Sequence, residues 1–528
     1  MNVLVLLTIF RMVVLPVQFE DRELTTSRTE QQALVQRMQD YFDRQFTGSG
    51  TAFRFELAPA ATLPHPVAWY GTNYPDRKDI RLADAVREAC QQVNGRVDFS
   101  AFDGDNDGVV DNVLLLFPGP GEHADGTEDD IYPQQGTIAG DGGVITLDGK
   151  TIDRFAVAPE GEPGVAFHEF AHALGLPDLY DTDGAESGGE CDGLGQSSLM
   201  ALGCRLAETP DFGAIEYSLL GLGFAEPLKT GSYVLTPLTM GQRYLYAPTD
   251  REGETFLFES RAGELYIYHI DRSDNPAGYS TRQKKDLTAR ERWEAGEINN
   301  NPEHPCARLM RLSGASFGSD TPAAFRAWSG AASGLALTGI RPAADGAVAF
   351  DVIRPITISD LVAYQDAALI RWTTDPALEG VRSFVVSWTG GESPGQAELP
   401  AGAQSYTVEG LHPNTEYTFC VQARCSETER YSAGGHFTTK VLRKGTYPYI
   451  YLGSATRNVD GSFPAGSKLP LRVFNATDVE EVHWTLDGTP VTPDADGLFT
   501  LRHGGELRAK VLYSDGTSET LLKMITVR

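Results

Sequence analysis

His168 and His172, four residues apart, are the side chains in this sequence best placed to do chemistry. On a helix that spacing puts both imidazoles on one face, a single turn apart, where they can share one zinc ion. Glu169 stands beside the first of them. It can take a proton from a water at the metal and later deliver it to a leaving amine. Gly175 tolerates the left-handed conformation that closes a helix, and Pro177 prevents the helix from resuming. The chain then turns back and brings Asp178 round to the metal. Two histidines and an aspartate leave a fourth position open, as a catalytic site requires. HExxH alone arises by composition in roughly one chain of this length in a hundred. The glycine and aspartate at these offsets set this occurrence apart from chance, and Gly175 with Pro177 argues against a longer helix with a later glutamate ligand.

A second oxygen-rich segment, Asp103-Gly104-Asp105-Asn106-Asp107-Gly108-Val109-Val110-Asp111, resembles a calcium loop. Asp103, Asp105, Asp107 and Asp111 offer carboxylates, Val109 a carbonyl, and Gly108 stands where such a loop turns sharply. Leu114 replaces the bidentate glutamate of an EF-hand, so the segment reads as an EF-like loop entering a strand. A missing ligand would come from the acidic loop 122–130 or from water. The alternative is a solvated Asx-rich turn. Structural calcium is the expectation, with Asp181-Thr182-Asp183-Gly184 a weaker second candidate.

HExxHxxGxxH/D is the metzincin pattern. The version here, ending Gly175-Leu176-Pro177-Asp178-Leu179-Tyr180-Asp181, resembles the immune inhibitor A family of secreted bacterial metalloproteases. The resemblance covers about residues 11–345 and includes Val97–Asp111, Gly119–Pro133, Leu265–Asp271 and Ile298–Pro305. It implies that Asp178 is the third zinc ligand. It also places Met200, within Ser198-Leu199-Met200-Ala201-Leu202-Gly203, in a Met-turn that forms an apolar floor under the ion. Gln134 departs from the pattern, where a histidine is expected after an aromatic–proline pair. Cys191 and Cys204 flank the Met-turn segment, and a disulfide between them would close a short loop beside the site. The alternative is two buried free thiols. Cys90 and Cys306 are left open between pairing and free thiols.

The elements that must position these groups read as α+β: a metzincin-type zinc protease domain with a β-rich subdomain, then two all-β sandwiches. The expected domains are 1–225 (catalytic), 226–354 (β-rich subdomain), 355–440 (fibronectin type III-like) and 441–528 (Ig-like). In the first, Gln31–Phe46 has helical periodicity, Val113–Phe117 is a buried strand, and Val165–Leu174 and Ala214–Leu222 are helices. In the second, Phe256–Phe258, Leu265–Ile270 and Ala347–Ile353 have strand character, whereas 275–305 reads as loop. In the third, alternation recurs at Ala368–Thr373, Phe384–Trp388, Ser405–Val408 and Tyr417–Ala423. Leu411–Tyr417 resembles the turn before strand F of a fibronectin type III domain, with Tyr417 as its tyrosine corner. Inward Tyr417 and Phe419 put Cys420 outward and Cys425 inward, so these two are not expected to bridge. In the fourth, His483–Gly488 and Arg508–Tyr513 alternate, with Asp515-Gly516 as a hairpin turn.

A net charge of −28 over 528 residues repels phosphate backbones and anionic lipid, which argues against nucleic-acid partners. No apolar run reaches the roughly 18–20 residues of a membrane span. Met1–Phe10 lacks a basic n-region and runs into the strand-like Met12–Phe19, which favours a truncated or misassigned start over a signal peptide. Export to the cell surface or medium is therefore expected from the architecture. The function expected is a secreted zinc metalloendopeptidase acting on protein or peptide substrates, with the substrate added along an edge strand near Phe155–Pro159. Its C-terminal sandwiches are candidates for binding cell-surface or matrix ligands. The rival class is a surface adhesin with a vestigial protease domain.

Overall fold

Val113–Phe117 is apolar at every position, so its strand has to be covered on both faces. In the computed structural model it is. The structure describes residues 8–75, 77–124, 126–310, 325–376, 378–391, 394–426, 430–440, 448–453, 457–458, 460–477, 479–494, 496–513 and 518–528. The turn expected at Asp515-Gly516 lies outside them, as does most of Met1–Phe10.

The chain forms two compact units, one of Met1–Phe317 with Leu337–Ile353, the other of Gly318–Ala336 with Arg354–Arg528. The first is built on a six-stranded sheet. Its main strands are β1 (Thr8–Gln18), β2 (Thr51–Leu57), β3 (Asn112–Phe117), β4 (Gln134–Thr137) and β5 (Arg154–Pro159). Their order is β2-β1-β3-β5-β4, parallel except for β4, which runs antiparallel at the edge. Helix α1 (Arg28–Gln45) connects β1 to β2, as a parallel crossover must, and opens with a capping box between Ser27 and Glu30. It packs Leu34, Met38 and Phe42 on one face of the sheet, against Leu114 and Leu116 of β3. Helix α2 (Leu82–Val93) lies in the core on the other face with Val113, Leu115 and Phe117. Alternate residues of β3 thus serve two cores, which is why the strand shows no polar alternation.

Helix α3 (Pro163–Ala173) and helix α4 (Ala214–Leu220) share the α1 face. The same apolar cluster takes in Leu257, Tyr268, Ile270, Ile298 and Ala307. All of these but Ile298 come from a five-stranded sheet ordered Ala307–Met310, Glu264–Asp271, Glu254–Arg261, Arg243–Pro248, Phe224–Pro227. The β-rich region therefore shares one core with the region bearing the histidines. The segment 275–305 is not loop, as its polarity implied. It forms a hairpin, Pro276–Ser280 with Lys285–Thr288, and a helix, Ala289–Ala295, around Arg292, whose fully buried guanidinium donates to the carbonyls of Ala277 and Tyr279. Polar side chains there face inward to satisfy backbone, which hydropathy cannot reveal.

In the second unit, strands Ile356–Ala363, Ala367–Thr374 and Ser405–Glu409 form one sheet, and Gly395–Pro400, Ser383–Thr389, Glu416–Arg424 and Arg430–Thr438 the other. They enclose Trp372, Tyr417 and Phe419. The Tyr417 hydroxyl accepts from the backbone amide of His412 at 2.9 Å, so the tyrosine corner is formed. Cys425 is buried and Cys420 half-buried. A further sheet, Thr489–Pro490, Val479–Leu486, Gly505–Tyr513, Ser518–Ile525, has its own core around Leu469, Leu507 and Ala509.

Candidate metal centre

Pro163 at the first turn of α3 presets the helical φ and lacks an amide that would go unpaired there. The helix closes where the sequence indicated. Gly175 has φ +98°, the amide of Leu176 returns to the carbonyl of Ala171 at 3.2 Å, and Leu176 is buried. This turn also exposes the carbonyl of Leu176 to the Nδ1 of His172, at 2.7 Å. The Nδ1 of His168 lies 2.9 Å from the carbonyl of Leu199, in the segment expected to be the Met-turn. A carbonyl only accepts, so both Nδ1 atoms carry hydrogens and both Nε2 atoms present lone pairs. Those Nε2 atoms are 3.0 Å apart. Asp178 Oδ1 lies 3.1 Å from one and 3.3 Å from the other.

Three acceptors converging at such distances repel one another unless a positive charge sits among them. Asp178 Oδ1 is buried and has no donor while both rings are neutral. Burial opposes ionisation of Asp178, yet the two imidazoles hold it well below the usual carboxylate range. Burial likewise disfavours a charged His172, but Asp178 outweighs it and raises the ring to about 9. The donor set of two imidazole nitrogens and one carboxylate oxygen, each oriented by a second hydrogen bond or turn, fits zinc. Burial pushes Glu169 upward, with the neighbouring histidines pulling it back.

The loop carrying Asp178 is held from two sides. The amide of Leu179 donates to the carbonyl of Met200 at 2.7 Å, and the side chain of Asn299 donates to the carbonyl of Leu179 at 2.8 Å. Met200 is fully buried. The hydroxyl of Ser198 accepts from the amide of Met200 at 3.0 Å and bonds the buried carboxylate of Glu216 on α4.

A pocket of about 350 Å³ opens over these groups, lined by Glu169, His168, His172 and Asp178. Its walls also carry residues that spacing did not single out for this role: His123, Tyr132, Tyr180, Leu202 and Arg205. Gln134, where a histidine was expected, lines the pocket and donates to Asp79 at 2.6 Å. Asp79 also accepts from the amide of Tyr132 at 3.0 Å, and burial raises its carboxyl to about 7. Asp79 could have been flagged only through its neighbours, since nothing in its local sequence marks it as buried.

Two expectations need correcting. Cys191 and Cys204 are both free thiols. Asp181 holds the Cys191 amide at 3.0 Å, whereas the Cys204 backbone packs against Gly164 of α3, so the chain carries the two to different supports. Phe155–Pro159 is not an edge either. It lies in β5, hydrogen-bonded to β3 on one side and to β4 on the other.

In the acidic loop, carboxylate oxygens of Asp103, Asp105 and Asp111 lie within 4.8 Å of one another. Asp107 does not join them. Its carboxylate accepts from the amide of Val109 at 2.7 Å and faces Arg154 at 3.6 Å. Lys150 pairs with Asp103 at 2.5 Å, a counter-ion that reading the loop alone could not supply. Burial and the charges of Asp105 and Asp103 raise Asp111.

Residues 17–215 match the family described as immune inhibitor A peptidase M6, catalytic domain, and residues 354–436 match the fibronectin type III domain family. Immune inhibitor A of Bacillus thuringiensis subsp. alesti is 29% identical over 180 residues, covering 28% of this chain and 26% of that protein. The pre-pro-metalloprotease PrtV of Vibrio cholerae serotype O1 (strain M66-2) is 26% identical over 174 residues, covering 28% of this chain and 19% of that protein. The chain thus matches about a quarter or less of the length of these relatives. The solution structure of the fn3 domain of human collagen alpha-1(XX) chain is 28% identical, covering 17% of this chain and 83% of that one, with a TM-score of 0.15. The N-terminal region of this chain is an immune inhibitor A-type peptidase M6 domain, and a fibronectin type III domain follows it in the C-terminal half.

Proposed function

We propose that this protein is a secreted, metzincin-type zinc metalloendopeptidase. The observation that carries the reading is the convergence of His168 Nε2, His172 Nε2 and Asp178 Oδ1, with both Nδ1 atoms already engaged. Zinc, when bound, supplies a Lewis acid at the pocket floor. Glu169, one residue from the first ligand and lining the same pocket, takes the proton of the attacking water and returns it to the leaving amine. Burial favours the return step, because it raises the affinity of this carboxyl for a proton.

The substrate backbone lies along β4, the sheet edge whose Gln134 and Gln135 line the pocket, and extends the sheet by one antiparallel strand. Calcium at Asp103, Asp105 and Asp111 would offset the charge that Lys150 leaves unbalanced. Secretion agrees with the absence, among the described residues, of any helix long and apolar enough to cross a membrane. The C-terminal sandwiches serve as binding modules for cell-surface or matrix ligands.

The test is hydrolysis of unfolded casein by the full chain, before and after a chelator and again after zinc is restored. Activity lost and then regained with zinc is expected. Cleavage that survives metal removal would overturn the metal mechanism, and no cleavage by a zinc-loaded protein would return the chain to the adhesin reading.

A further inference from the structure

Arg205 is the only permanently charged cation among the residues lining the pocket. It is exposed, and its guanidinium makes one polar contact among the described residues, to the carbonyl of His123 at 3.5 Å. No described carboxylate lies within ion-pair distance of it. The other basic side chain at the rim, His123, already has its Nε2 against Glu162 at 3.1 Å.

The position of Arg205 is fixed. It ends a 3-10 turn, Leu202–Arg205, directly after the buried Met200–Ala201 pair. Gly203 takes a place where a side chain would meet the carbonyl of Ser198, and its amide donates to that carbonyl at 3.0 Å. The turn packs on α3 at Gly164, where an added Cβ would lie 2.1 Å from the carbonyl of Cys204. The arginine backbone is thereby set against the helix that carries Glu169.

We infer that Arg205 is a specificity residue that selects an acidic side chain, Glu or Asp, next to the scissile bond. The inference rests on the peptidase reading of the same pocket. Val165, Leu202 and Cys204 supply apolar wall for the methylenes, and the guanidinium meets the carboxylate. Glu169 and Asp178 would repel such a group in a metal-free pocket, but a divalent cation balances their charge. The acidity of the whole molecule acts at long range and is screened beyond about 8 Å at physiological ionic strength. Contact with Arg205 therefore decides the preference.

The test uses the full zinc-loaded chain and one peptide sequence with Glu, Gln or Lys at the positions flanking the cleaved bond. The kcat/KM ratios are measured on the wild type, and the dissociation constants by fluorescence anisotropy on Glu169→Gln, which separates binding from turnover. The Glu peptide should be favoured over the Lys peptide by roughly fivefold, the scale of an exposed ion pair, and the ratio should shrink as salt is added. Arg205→Glu should reverse the ratio. Arg96→Glu, an equal change of net charge at an exposed turn, should preserve it. Equal affinity for the Glu and Lys peptides, no affinity for either, or an unreversed ratio in Arg205→Glu overturns the assignment. Selective binding without any cleavage by the wild type leaves Arg205's role standing and removes the peptidase reading.

Discussion

Glu169 and Asp178 line one pocket but have separable tasks. Glu169→Gln leaves His168, His172 and Asp178 intact, so zinc content after dialysis should stay near one per chain. Turnover should fall by about 10²–10⁴, the usual contribution of a positioned acid–base group. Asp178→Ala removes a ligand and should lose zinc and activity together. Tight zinc in Asp178→Ala would place the third ligand elsewhere. Asp79 supplies a pH dependence. Its folded carboxyl is raised to about 7 by burial, so the folded chain keeps a proton that the unfolded chain gives up near pH 4. Stability from this group is thus full at low pH and declines as pH rises from about 4 to 7, by at most about 4 kcal/mol. Asp79→Asn cannot ionise. Its melting temperature relative to wild type should climb steadily between pH 4.5 and 7.5, and a constant difference across that range would mean that Asp79 ionises freely.

At the scale of elements, the α3 terminus and the acidic loop make the sharpest claims. Gly175 has φ +98°, which a β-branched residue adopts only with strain. Gly175→Val should weaken zinc retention without touching a ligand, because the same turn delivers Asp178 and the Leu176 carbonyl that orients His172. Zinc stoichiometry equal to wild type would show that the turn tolerates the change. In the acidic loop, three close carboxylates share one ammonium. Calcium should therefore raise the melting temperature at constant zinc, and a flat calcium series would leave Lys150 as the only counter-ion the loop needs.

For the molecule as a whole, the path of the chain matters more than the domain order. Residues 325–336 pack with the second unit although they precede Leu337–Ile353 of the first. Phe325, Ala331 and Leu335 are buried there, and the amide of Gly434 donates to the carbonyl of Ala332 at 2.8 Å. A chain ending near Arg354 should retain peptidase activity, since its core and pocket come from the first unit, but should aggregate through this stranded apolar segment. Replacing 318–336 by a short Gly/Ser linker in that truncation should restore solubility at unchanged kcat/KM, measured by light scattering and peptide hydrolysis. An inactive but soluble linker variant would show that the second unit completes the site.

The residues of the candidate metal site could be picked out together because they are local. His168, Glu169, His172, Gly175, Pro177 and Asp178 lie within eleven residues, where helical periodicity and one glycine fix the geometry. The buried strand at Val113 and the tyrosine corner at Tyr417 were legible for the same reason: each leaves its pattern in a few consecutive residues. Hydropathy reports which face of an element is buried and not which neighbour covers it. So the sequence could not decide that β4 rather than β5 is the edge, since strand order in a sheet departs from chain order. Nor could it place Lys150 on Asp103, the Leu199 carbonyl on His168, or Arg205 at the rim of the pocket. Those pairings join segments tens of residues apart, and only packing of the tertiary structure brings them within hydrogen-bonding reach.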